Sequence, residues 1–145
     1  MAQHNRFYLA GVMGQPVMHS RSPMLHNYWF AQQGMAGTYV PLAIKPEGLA
    51  AALRALQPLG FSGCNLTIPH KQEAMQIVDE VDAAARKIGA ISCVTVRADG
   101  TLLGSNNDAF GLSAMCARRS LPGARMRGLS WSSARAVGRA RCATG

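Results

Sequence analysis

Asn65-Leu66-Thr67-Ile68-Pro69-His70-Lys71 is the stretch on which the fold turns. It closes Gly60 to Leu66, a run that reads as a short buried strand. Two helical stretches follow, Gln72 to Val78 and Asp82 to Ile88, with Gly89 placed to end the second. A polar segment at the carboxyl end of a strand is where open α/β sheets hold their ligands. A lysine held there can donate or accept a proton if its surroundings tune it, although most lysines are solvated and Lys71 alone decides nothing.

Working outward toward the N-terminus, Phe7 to Met13 is a short apolar run bounded by Gly11 and Gly14, which suits a strand and a turn. From Ser22 the pattern becomes helical: Ser22 can N-cap, Pro23 suits the first turn, and Met24, Leu25, Tyr28 and Trp29 recur at helical spacing up to Gly34. The methionine and aromatic residues between Met24 and Phe30 read as core rather than as a cofactor box. Thr38 to Ile44 is apolar and partly β-branched, and Pro46 to Leu56 then places Leu49, Ala52, Leu53 and Leu56 on one helical face. Toward the C-terminus, Ala90 to Arg97 and Thr101 to Gly104 flank Asp99-Gly100, a strong hairpin signal. The expected fold is α/β: a mainly parallel open sheet flanked by helices on both faces, with a short hairpin and an irregular C-terminal tail.

Charge separates the body from that tail. All seven acids of the 145-residue chain precede residue 113, where eight bases balance them to +1. The other seven bases, all arginine, lie in residues 113–145 and account for most of the net +8. The basicity is therefore a property of the tail, not evidence of a nucleic-acid-binding body. Cys64, Cys93, Cys116 and Cys142 lack the paired spacing of a zinc site, and no secretory leader pattern opens the chain, so free thiols in a cytoplasmic protein are expected. His4, His19, His26 and His70 show no metal spacing either and read as structural or surface residues. No apolar run reaches the roughly 20 residues that span a bilayer.

Two further segments carry polar groups of possible chemical use. In Gly14-Gln15-Pro16-Val17-Met18-His19-Ser20-Arg21-Ser22-Pro23, two hydroxyls stand beside a helix N-terminus and could hold a carboxylate; equally, Ser22 could be a plain cap and Ser20 a turn residue. In Gly104-Ser105-Asn106-Asn107-Asp108-Ala109-Phe110-Gly111, Asp108 could cap a helix or pair with Lys71 to complete an acid/base couple.

Taken in order, His-Ser-Arg-Ser-Pro at 19–23, Asn-Leu-Thr-Ile-Pro-His-Lys at 65–71, Gly-Ala at 89–90 and Asn-Asn-Asp at 106–108 resemble the shikimate dehydrogenase family over residues 7–112. The resemblance implies an N-terminal substrate-holding domain, here 1–112, of an enzyme that reduces 3-dehydroshikimate to shikimate with NADPH. It implies that Ser20 and Ser22 bind the substrate carboxylate, that Thr67 and Asp108 bond ring hydroxyls, and that Lys71 paired with Asp108 is the acid/base group. Two positions depart from the family pattern. Ser92-Cys93 stands for the usual Asn-Thr, so Ser92 would meet a ring hydroxyl with a shorter side chain, and Asn107 stands for the usual threonine before the aspartate. Quinate or aminoshikimate therefore stay open as substrates, as does a non-catalytic binding module for shikimate- or quinate-like hydroxy acids.

In that family the segment after Asn-x-Asp-x-x-Gly leads into a strand and a Gly-Ala-Gly-Gly phosphate loop for NADP, yet this chain carries no G-x-G-x-x-G. Reverse-translated with GC-rich codons and read with each third base joined to the next two, Leu129 to Val137 yields Val-Leu-Val-Leu-Gly-Ala-Gly-Gly. The expectation for 113–145 is a frame-shifted basic tail that supplies neither core nor cofactor loop, leaving the chain inactive alone. The rival reading, a basic arm for nucleic acid, requires salt-dependent binding that is lost on deleting 113–145.

Overall fold

The computed structural model describes residues 7–108. Its strands are β1 (Tyr8–Gly14), β2 (Gly37–Ala43), β3 (Phe61–Leu66), β4 (Glu80–Val81), β5 (Cys93–Val96) and β6 (Leu102–Ser105), and its helices are α1 (Ser22–Gln32), α2 (Leu49–Ala55) and α3 (Ala83–Ile88). Single 3-10 turns at Pro46–Gly48 and Glu73–Gln76 complete the order. The six strands form one sheet in the order β2-β1-β3-β5-β6-β4. The pairs β1/β2, β1/β3 and β4/β6 are parallel, while β3/β5 and β5/β6 are antiparallel. The expected α/β architecture stands, with the Asp99-Gly100 turn joining β5 to β6 in register Val96↔Leu102. The two-residue strand β4, beside β6, has no counterpart in the sequence reading because a run that short carries no periodicity.

Alternation along β1 sends neighbouring residues to opposite faces, and each face has its own cluster. Met13 joins Leu49, Leu53 and Leu56 of the α2 region with Leu66, Ile91, Val94 and Leu102. Val12 packs instead with Val17, Tyr39 and, from α1, Phe30. Helix α2 buries Leu49 and Leu53 completely, and at about 1.5–3 kcal/mol for each such side chain this face holds much of the stability.

Helix α1 corrects one expectation. Met24, Leu25, Tyr28 and Trp29 are 70%, 45%, 59% and 50% exposed, so they are not core. The helix attaches through its other side, by Phe30 and by polar groups: the Asn27 amide donates to Tyr39 O (3.0 Å) and accepts from Tyr39 N–H (2.8 Å). Among the described residues Tyr39 lies on edge strand β2, so Asn27 satisfies two backbone groups that no described strand covers. Two residues on, Pro41 has no N–H to satisfy, which suits an edge strand. The start of α1 also differs from expectation. Ser22 is already helical, Arg21 takes the N-cap position, and Ser20 Oγ accepts the Ser22 N–H at 3.2 Å. Asp82 caps α3 by accepting Ala85 N–H at 2.6 Å, and Gly89 closes that helix at φ +76, a conformation that favours glycine.

The chain divides between Asn106 and Asn107 into two units. Of the second, Asn107–Gly145, only Asn107 and Asp108 are described, so the readings of the tail at 113–145 and of Cys116 and Cys142 fall outside the described residues.

Candidate active site

The parallel strands β1, β2 and β3 end at one edge of the sheet, where β5 begins and β6 ends. Four segments meet along that edge through backbone bonds. Thr67 N–H donates to Met13 O at 2.9 Å and Gln15 N–H donates to Ile68 O at 3.1 Å, tying the segment after β3 to the turn after β1. Gly14 makes that approach possible: a Cβ there would collide with Thr67 Cγ2 and come within 3.3 Å of Ile68 O and Val17 Cβ. The turn then folds back, Ser20 N–H donating to Val17 O at 2.9 Å, and both peptide bonds before Pro16 and Pro69 are cis. Lys71 O accepts from Ile91 N–H at 2.7 Å, and Ser92 O accepts from Leu66 N–H at 3.0 Å. Ser92 N–H donates to Ser105 O at 2.9 Å, and Asn106 Nδ2 donates to Ala90 O at 2.7 Å.

The structure thus gathers Thr67, Lys71 and Ser92 on adjoining backbone, with the serine turn held beside Thr67. Thr67, Lys71, Ser20 and Ser22 are half-buried, and Ser92 is 5% exposed. Asp108 is exposed and lies in the second unit, two residues beyond Asn106.

His70 explains the residue before the lysine. It is fully buried, and because Ile44 O can only accept, Nε2 carries the proton of their 2.8 Å bond. That bond pins the 67–71 segment to the end of β2, and Nδ1 has no hydrogen-bond partner among the described residues.

Three residues that the sequence reading did not count among the site residues lie on the α1 face. Tyr39 Oη donates to Asn65 Oδ1 at 2.7 Å, and Asn65 Nδ2 donates to Ser92 O at 3.3 Å. His26 stacks on Tyr39 with centroids 4.1 Å apart and an interplanar angle of 11°, while its Nδ1 bonds Ser22 O at 2.9 Å. Burial, with smaller effects from Cys64 and Cys93, holds the Tyr39 phenol far above its ordinary range, so it stays a donor. Alternation along the strands was the signal available for Asn65, a polar residue between Cys64 and Leu66, both buried. Burial also pushes the Cys64 thiol up to about 12, with Cys93 adding to it, and raises Cys93. Neither thiol is poised as a nucleophile, and both are free.

Residues 12–94, more than half of the chain, match the model of the shikimate dehydrogenase substrate binding domain. The chain belongs to that family. It is 54% identical over 103 residues to the shikimate dehydrogenase (NADP(+)) of Paramagnetospirillum magneticum, covering 71% of this chain and 37% of that one. The corresponding enzyme of Rhodospirillum rubrum is 52% identical, with 36% of its length covered. The chain therefore spans well under half the length of these curated relatives. Among solved structures, shikimate 5-dehydrogenase from Thermus thermophilus in complex with NADP(H) and shikimate superposes with a TM-score of 0.74 at 33% identity, covering 79% of this chain and 43% of that one. A 5-ketofructose reductase of Gluconobacter superposes equally well at 28% identity, covering 79% and 41%. The same fold thus recurs in proteins named for different substrates.

The NADP of these relatives' names needs a pyrophosphate cradle, in dinucleotide folds a glycine-rich strand-to-helix turn. In this shikimate dehydrogenase domain the turn after β1 has one glycine, Gly14, whose open side is filled by Thr67, and then Pro16, Val17 and Met18. That turn does not fit a dinucleotide phosphate. Among the described residues no helix is long and apolar enough to cross a membrane, and no group of three or more His, Cys, Asp or Glu could hold a metal ion.

Proposed function

We propose that this chain is the substrate-holding and proton-transfer half of a cytoplasmic, NADPH-dependent shikimate dehydrogenase acting on 3-dehydroshikimate and shikimate. The observation that carries the reading is the convergence of the serine turn, Thr67, Lys71 and Ser92 at one sheet edge through the bonds from Thr67 to Met13, Gln15 to Ile68 and Ile91 to Lys71. Ser20 and Ser22 take the substrate carboxylate at the head of α1, where hydroxyls and the positive helix end favour an anion. Thr67 and Ser92 bond ring hydroxyls.

Lys71 is assigned the proton. As a carbonyl carbon is reduced, negative charge gathers on its oxygen, and an ammonium held there stabilises that charge and supplies the proton. The described residues are given the substrate and the proton; among them the turn after β1 does not suit a dinucleotide.

Titrating the 145-residue chain with shikimate by calorimetry tests the reading. Binding is expected, with no oxidation of NADPH when 3-dehydroshikimate is added. Absence of binding overturns the assignment, and measurable turnover overturns the division of labour. Replacing Lys71 with methionine should weaken shikimate binding by less than about tenfold while abolishing turnover in a chain joined to a dinucleotide-binding domain, as befits a group whose work falls in the transition state.

A further inference from the structure

The side chains His26, Tyr39 and Asn65 form a continuous strut across the α1 face of the sheet. At one end the His26 Nδ1–H is donated to Ser22 O, since a carbonyl can only accept. The His26 ring lies flat on Tyr39 at 4.1 Å, the Tyr39 hydroxyl donates to Asn65 Oδ1, and Asn65 Nδ2 donates to Ser92 O at the other end. Tyr39 is the fixed point. It is 3% exposed, and Asn27 clamps its backbone N–H and C=O. The strut therefore spans from the serine turn to the segment that would meet the ring hydroxyls.

We infer that Tyr39 is a positioning residue that sets, through Asn65, where Ser92 stands for substrate. The inference rests on the shikimate-binding reading above. An asparagine amide can rotate by half a turn and exchange its oxygen and nitrogen. Here the Ser92 carbonyl demands the nitrogen, and the Tyr39 hydroxyl then rewards that orientation by donating to the oxygen. Ser92 O receives Leu66 N–H as well, so two donors from β3 fix the serine backbone. A short serine side chain has little reach of its own, and its placement depends on that backbone more than a long amide would.

Removing the Tyr39 hydroxyl leaves a half-buried acceptor on Asn65 without its donor and frees the amide to turn. The test is a double-mutant cycle on the 145-residue chain, reading shikimate affinity by calorimetry at a temperature where melting curves show every variant folded. Tyr39→Phe is expected to weaken shikimate binding by about tenfold, the factor that corresponds to one misplaced hydrogen bond. In the background of Ser92→Ala, the same change should cost less than about twofold, because the residue through which Tyr39 acts has lost its hydroxyl. Asn65→Ala gives the second arm and should match Tyr39→Phe in both backgrounds. A purely structural Tyr39 lowers the melting temperature while leaving affinity unchanged, or costs the same factor with and without Ser92; either result overturns the inference. If the unaltered chain does not bind shikimate, the functional reading fails first and takes the inference with it.

Discussion

Replacing Gly14 with alanine tests the contact that holds the serine turn against the Thr67 segment. The added Cβ would overlap Thr67 Cγ2 and lie 3.2 Å from Ile68 O and 3.3 Å from Val17 Cβ. Backbone on one side and a β-branched side chain on the other leave little room to yield. An overpacked site of this kind costs about 1–3 kcal/mol, which at about 4–8 °C per kcal/mol for a domain of roughly 100 residues lowers the melting temperature by roughly 4–24 °C. Thermal denaturation followed by circular dichroism reads the loss. Gly48→Ala is the control, since a Cβ there meets only Ile44 Cγ2 at 3.7 Å. Because the sharpest overlap is with a methyl group, Thr67→Ser should recover about 0.5 kcal/mol or more in the double variant while retaining the hydroxyl assigned to substrate. A Gly14→Ala chain as stable as the parent would refute the packing argument. A loss that Thr67→Ser does not relieve would place the conflict at Ile68 and Val17 instead.

Acid stability should respond to Asp79. Its carboxylate accepts Leu102 N–H at 2.8 Å and Arg54 Nη1 at 2.7 and 2.9 Å, and these two partners, the backbone bond first, hold it below the ordinary aspartate range. A depressed folded value means the stabilisation is complete above the unfolded value of about 3.9 and is lost as pH falls through the folded one. Urea midpoints at pH 6 and pH 3 should therefore fall less for Asp79→Asn than for the parent, and equal falls would contradict the assignment. Leu53→Ala, at a fully buried position, should cost about 2–5 kcal/mol by urea denaturation, and a cost under 1 kcal/mol would show that α2 can collapse into the space.

The regular elements were legible because their signals are local. Strands β1, β2 and β3, helix α2, the Asp99-Gly100 hairpin and the Gly89 helix end all rest on spacing, turn chemistry or a residue suited to positive φ. Helix α1 shows the limit of that reasoning. Spacing identified the helix but not the side that faces inward, since His26 and Asn27 attach it by a stacked ring and an amide bracket while Trp29 and Met24 stay exposed. The candidate site divides in the same way. Thr67 and Lys71 belong to one short segment that sequence can present whole, and the order of the four motifs pointed to the family. The strut from His26 through Tyr39 to Asn65 joins residues 26, 39 and 65, and only the β1/β2 and β1/β3 registers bring them together.

The amide bracket of Asn27 on Tyr39 also bears on how the molecule behaves in a crowd. An uncovered sheet edge is a template on which the strand of another chain can grow. On the β2 side, Asn27 occupies the N–H and C=O of Tyr39, and two residues farther along Pro41 offers no donor. A foreign strand arriving there finds one station taken and the next without a donor, so the sheet resists extension from that margin even with the apolar residues of α1 exposed close by.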